Sequence, residues 1–269
     1  MQFEKEDVLN YCLIDLSDDD GQIVAKDEGF YVYNPEAIDA GYSHNIIFVH
    51  GYNTDFFYAM KTASYYYDIL CPLIKGNANF IGIYWPGHTG VINFSKAVRQ
   101  ASASGPNFAA AINYIIENSK APDPFISFIA HSLGNRECAQ TILTLKSEHG
   151  ITPVKNFIQL APAIDANSYQ EEFKNVPSLV QNIKIYFSRK DMILFEAYKT
   201  FSEFTIHLTP PFLRWGEGYG AMGFNGPYGT MPSTVKSIDA NSIAGISVDH
   251  GTYLSNPKLI ESVAQFINV

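Results

Sequence analysis

Phe125-Ile-Ser-Phe-Ile-Ala-His-Ser-Leu-Gly-Asn135 decides how this chain is read. An apolar run rich in β-branched and aromatic residues breaks off into small and polar ones. Behind it Cys138, Ile142, Leu143 and Leu145 recur at near-helical intervals. The pattern is strand, sharp turn, helix, with Ser132 at the bend. A serine held there in a strained backbone conformation has its hydroxyl lifted clear of the sheet edge. Ala130 and Gly134, two positions either side, are small where strand and helix backbones must approach closely. Residues 130–134 thus follow the pattern GxSxG with alanine in the first slot.

Working outward, Asn45-Ile-Ile-Phe-Val49 is a short continuous apolar run, the mark of a strand covered on both faces, and it ends in His50-Gly51-Tyr52-Asn53. A glycine after a central strand allows a sharp turn, and the loop beyond can offer backbone N–H groups to an anion at the strand's C-terminal edge. The N–H of Tyr52 and the N–H of Leu133 are the candidate oxyanion donors. His50 is expected to brace this loop rather than act as a base. Asn79 to Tyr84 gives another buried strand, closing in Trp85-Pro86-Gly87-His88, and Ala59 to Leu70 and Asn107 to Asn118 read as helices. His50, Trp85 and His131 are candidates for the wall of a substrate pocket.

After the serine, Val154 to Leu160 and Asn182 to Phe187 are strands that end in Asp165 and Asp191 respectively. Both aspartates are delivered to the C-terminal edge, where open α/β sheets carry their sites. Asp191 is favoured as the acid of a triad because it follows the later strand and precedes the candidate histidine; Asp165 stays the alternative. The roughly sixteen residues between Asp165 and Asn182 are enough for a crossover helix and too few for a cap domain. Thr234 to Ile238 supplies a last strand and Lys258 to Ile267 a last helix, with Asp249-His250-Gly251 between them. His250 is the candidate base; His44, His88, His149 and His207 lack a comparable position. Residues 201–230, irregular and rich in aromatics and glycine, are expected to cover the pocket as a lid. Within them Gly218-x-Gly220-x-x-Gly223 matches a dinucleotide fingerprint in letters alone, since no buried strand leads into it.

Strands alternating with helices predict an α/β protein with a mostly parallel sheet and helices on both faces. Tyr11 to Leu16 and Gln22 to Tyr33, separated by Ser17-Asp-Asp-Asp-Gly21, predict an N-terminal antiparallel hairpin; the three aspartates lack the spacing of a calcium loop. At 269 residues and 46% hydrophobic content, the chain is expected to form one domain, 1–269. A formal net charge of −9 argues against nucleic acid or a polybasic membrane anchor. Cys12, Cys71 and Cys138 are scattered and odd in number, which points to packed thiols rather than a disulfide or zinc framework. The opening residues lack signal-peptide order and no apolar run reaches membrane-spanning length, so a soluble cytoplasmic protein is expected.

The order Ser132, Asp191, His250 resembles that of the α/β-hydrolase superfamily. More narrowly, Phe48-Val-His-Gly-Tyr-Asn53, Tyr84-Trp-Pro86, Ile129 to Asn135, Leu160-Ala-Pro162 with Asp165, and Tyr186-Phe-Ser-Arg-Lys-Asp191 resemble strings of bacterial esterase- or lipase-like α/β hydrolases. The glycine-rich Met222 to Gly226 and the late Asp249-His250 are similar to that group too. The resemblance covers the chain from Asn45 onward and departs from the motif at Ala130. It implies ester hydrolysis through an acyl-enzyme, with Ser132 as nucleophile, His250 as base, Asp191 as orienting acid, a small-molecule ester as substrate, and neither metal nor organic cofactor. Acyl transfer, thioester or amide cleavage by the same triad, and a non-catalytic binding protein on this scaffold, are the alternatives.

Overall fold

The structure, a computed structural model, describes residues 11–17, 30–39, 41–90, 93–199 and 220–268. Among these residues eight strands form one sheet: β1 (Cys12–Asp15), β2 (Tyr31–Tyr33), β3 (His44–Val49), β4 (Ala78–Tyr84), β5 (Phe125–His131), β6 (Val154–Leu160), β7 (Asn182–Phe187) and β8 (Val235–Asp239). Their order is β2-β1-β4-β3-β5-β6-β7-β8. Every neighbouring pair is parallel except β1 with β2, which is the antiparallel pair expected at the N-terminus. The aspartates at 18–20 lie outside the described residues.

Register shows that both faces are covered. Phe48 pairs with Ile129, so Phe48 and Phe128 point to opposite sides of the sheet. Phe48 stacks on Tyr66 of α1 (Phe56–Leu70), while Phe128 meets Phe108 of α3 (Gly105–Asn118). Around α3 pack α2 (Phe94–Ala103) and α4 (Gly134–His149). A continuous apolar strand such as β3 is stable only in such a layer, which explains its lack of alternation. At the opposite, N-terminal edge, polar side chains bridge the strands: Asn79 to Asn45, His44 to Ser127, Asn156 to Ser127 and Asn182 to Asn156. These bonds hold strand register where the apolar pattern ends.

The helices at 192–199 and Ala240–Ala244 go beyond the sequence expectation, as do α2 and the connection between β6 and β7. α2 was not anticipated, because it buries Ala97, Val98 and Ala101, whose small side chains give a weak periodic signal. Between β6 and β7 the chain forms turns and the four-residue α5 (Val176–Leu179) instead of a full crossover helix. Arg136 fixes this connection to α4: its buried guanidinium donates to both carboxylate oxygens of Glu172, at 2.6 and 2.8 Å, and lies over the Phe173 ring.

The neighbouring Glu137 is wholly buried, with one oxygen accepting from Ser104 Oγ at 2.9 Å. Its other oxygen has no hydrogen-bond partner among the described residues. Burial pushes this carboxyl well above the usual carboxylate range, and the Ser104 bond opposes the shift. The native state thus holds a proton that the unfolded chain releases. Stability from this group is complete in acid and falls as pH rises between the two pKa values, by at most about 1.4 kcal/mol per pH unit. Glu137→Gln removes that dependence. Thermal melts at about pH 5 and about pH 8 should show the variant gaining on wild type at the higher pH; a pH-independent gap would mean that Glu137 titrates normally.

Candidate active site

The site is built at the C-terminal edge of β3, β5 and β7. Ser132, between β5 and α4, has φ of 53°, in the left-handed region that a residue with a side chain occupies at a cost of about 1–3 kcal/mol. The surroundings hold it there. Its N–H donates to Leu160 O at 3.0 Å, and its carbonyl accepts from Ala163 N at 3.1 Å, from Asn135 N at 3.2 Å and from Asn135 Nδ2 at 2.9 Å. The same Asn135 amide reaches Ala130 O and Leu160 O. Asn135 thus supports the bend, a part not assigned to it from sequence; it is a polar side chain in the first, wholly buried turn of α4.

Glycines press the β3 loop onto this bend. A Cβ on Gly134 would lie 2.5 Å from His50 O and 2.9 Å from Val49 O, both fixed backbone atoms. One on Gly51 would lie 2.7 Å from Ser132 Cβ. Tyr52, next in the loop, is held by its hydroxyl donating to Gly90 O, and Asn53 N donates to Gly87 O at 3.1 Å. The N–H groups of Tyr52 and Leu133 donate to no acceptor among the described residues.

His50 is buried with both ring nitrogens engaged. Trp85 N–H donates to Nε2 at 3.2 Å, so Nδ1 carries the proton and donates to Gly51 O at 2.8 Å. Burial lowers its pKa to about 4, which keeps it neutral. Trp85, fully buried, donates its indole N–H to His50 O at 3.0 Å and stacks on the His50 ring. The two residues brace each other and the loop that carries Tyr52.

Asp191 follows β7 and opens the helical stretch 192–199, designated α6. Its Oδ1 accepts from Leu194 N at 3.1 Å, an N-cap bond that fixes the orientation of the carboxylate. Its Oδ2 lies 2.8 Å from His250 Nδ1. The Asp191 side chain is fully buried, whereas that of His250 is 14% exposed, so the ring retains an accessible edge. Asp165 forms a main-chain bridge with Ala221; the carboxylate hydrogen-bonded to His250 is that of Asp191. His131, the last residue of β5 and directly before Ser132, puts Nε2 2.9 Å from the His250 carbonyl oxygen, with the two ring centroids 4.7 Å apart. The structure therefore joins Asp191 to His250 and His250 to residue 131, and records no hydrogen bond from the Ser132 hydroxyl to His250 among the described residues.

Of the expected lid, residues 201–219 lie outside the described residues. The remainder contains α7 (Met222–Asn225), anchored by Met222 N to Ile164 O and Gly223 N to Pro162 O, beside the turn at Ala161. Among the described residues, no three His, Cys, Asp or Glu side chains are grouped as a metal site, and no helix is long and apolar enough to cross a membrane.

Residues 37–201 match the profile of a family described as alpha/beta hydrolases of unknown function (DUF900). The chain belongs to this alpha/beta-hydrolase family. An uncharacterised protein of Nostoc sp. is 25% identical over an alignment of 313 residues, which spans 91% of this chain and 79% of the relative. Among solved structures, an esterase of Pyrobaculum calidifontis is similar with a TM-score of 0.47 and 11% identity, covering 86% of this chain and 78% of the esterase. A hormone-sensitive lipase from a metagenome library is similar with a TM-score of 0.44 and 12% identity, covering 85% and 79% of the two chains. The family's matched stretch takes in the β3 loop, the Ser132 bend and Asp191, while His250 lies beyond it.

Proposed function

We propose that this alpha/beta hydrolase is a serine hydrolase that cleaves a carboxylic ester through an acyl-enzyme, with Ser132, His250 and Asp191 as its triad. The observation that carries the reading is the 2.8 Å bond between His250 Nδ1 and the buried Asp191 carboxylate, on a loop tied to the residue before a strained serine. An ionised carboxylate only accepts, so Nδ1 keeps its proton and Nε2 holds the lone pair. A serine hydroxyl is too weak a nucleophile at neutral pH without such a base, and serine-to-base bonds that are long in a resting site tighten around the substrate.

In the reaction, Ser132 Oγ bonds to the ester carbonyl carbon while its proton passes to His250 Nε2 and the carbonyl electron pair moves onto oxygen. The N–H groups of Leu133 and Tyr52 are directed at that oxyanion, each worth about 3 kcal/mol in comparable sites. The tetrahedral species collapses, the alkoxide leaves with the proton from His250, and the acyl group stays on Ser132. Water then attacks the acyl carbon with His250 as base, releasing the carboxylic acid and restoring the serine.

The test is labelling of the purified, folded protein with a fluorophosphonate probe, followed by peptide mapping. A single adduct on the peptide that contains Ser132 is expected. No adduct, or one on another serine, would overturn the reading in favour of a non-catalytic scaffold.

A further inference from the structure

We infer that His131 is a positioning residue for this reaction: by donating Nε2–H to the His250 carbonyl it pins the loop that bears His250 to the residue beside Ser132. The inference rests on the serine-hydrolase reading above and adds a device that sets the distance between nucleophile and base.

A carbonyl oxygen accepts and cannot donate, so the 2.9 Å contact requires the proton of His131 to sit on Nε2, with Nδ1 bare. That tautomer is the opposite of the one assigned to His50. Burial, with His250 as a close neighbour, lowers the pKa of His131 to about 3, so the ring stays neutral. A neutral neighbour 4.7 Å away adds no charge against the imidazolium that His250 becomes when it takes the serine proton.

The geometry explains why such a tie is needed. His250 lies between β8 and the closing helix α9 (Pro257–Ile267), preceded by the short α8 (Ala240–Ala244), whereas Ser132 lies at the centre of the sheet. The loop has its own supports: Ser188 Oγ donates to Val248 O, Asn241 Oδ1 accepts from Val248 N, and Asp249 Oδ1 accepts from Gly251 N and Thr252 N. All of these hold the loop to the β7–β8 side of the sheet or to itself. The Asp191 bond fixes the His250 ring from that same side. The His131 bond spans 119 residues of sequence and joins the loop to the strand that carries the nucleophile.

His131→Phe keeps a ring and removes the donor; His131→Gln removes the ring and keeps an N–H donor at similar reach. For a soluble ester, His131→Phe is expected to lower kcat by about 100-fold, the scale of a misplacement near 1 Å, with KM changed by less than about threefold. His131→Gln should recover most of that loss, and the fluorophosphonate labelling rate should follow kcat in both. Equal losses in the two variants, or an unchanged kcat in His131→Phe, would overturn the inference. Nitrogen-15 ring spectra of the wild-type protein provide a readout without turnover. A neutral His131 protonated on Nε2 is expected; an Nδ1–H tautomer or an imidazolium would overturn the bond. Failure of the wild type to label at Ser132 would sink the serine-hydrolase reading, whereas the ring spectra still decide the bond.

Discussion

Ser132→Ala and His250→Ala should each lower kcat on a soluble carboxylic ester by about 10⁶-fold, and the double variant should be no worse than either alone. The reason is that the two side chains serve one event. Without Oγ there is nothing for His250 to deprotonate, and without Nε2 the hydroxyl keeps its proton and attacks too weakly to matter. Both substitutions leave the fold in place by different routes. The Ser132 backbone is held at φ of 53° by Leu160, Ala163 and Asn135, none of which uses the hydroxyl. The His250 main-chain carbonyl that accepts from His131 is retained in alanine. Any rate left above that of water comes from the Leu133 and Tyr52 donors and from binding. The measurement is steady-state turnover of a series of esters of graded acyl length, for the single and double variants. Additive losses in the double variant would mean that serine and histidine work independently, which no triad mechanism allows.

Much of the architecture was legible because it depends on local patterns. Apolar runs mark β3 and β5, since a strand covered on both faces carries apolar residues on both sides rather than in alternation. Small residues around Ser132 mark the bend, because Gly134 faces backbone carbonyls and Gly51 faces the serine itself. Chain order supplied the candidate acid and base. What stayed hidden depends on distant partners. Nothing near Asn135 announces that its amide will serve three carbonyls from two strands and a turn, and nothing near His131 announces a bond to a carbonyl 119 residues later. α2 escaped because its buried face is mostly alanine. The β6–β7 connection is fixed by turn bonds and by the pair of buried Arg136 with exposed Glu172, and such features leave no periodic trace.

The two aspartates at the strand ends separate by experiment on the same grounds. Asp191→Asn should lower kcat by about 10⁴-fold, the scale seen when the orienting acid of other triads is made an amide. The amide has no charge to stabilise the His250 imidazolium. If its NH₂ faces Nδ1, it also reverses the tautomer, leaving Nε2 protonated and unable to act as a base. Asparagine still caps a helix well, so the bond to Leu194 N that starts α6 survives and the loss can be read as chemistry rather than unfolding. Asp165→Asn, bridged through its main chain to Ala221 while His250 Nδ1 is engaged by Asp191, should change kcat by no more than about threefold. Comparing kcat for the two variants on one ester, with melting temperatures as the control for folding, decides which carboxylate belongs to the site. A large loss in Asp165→Asn beside a small one in Asp191→Asn would mean that the 2.8 Å contact with His250 is structural and that the reacting base is oriented elsewhere.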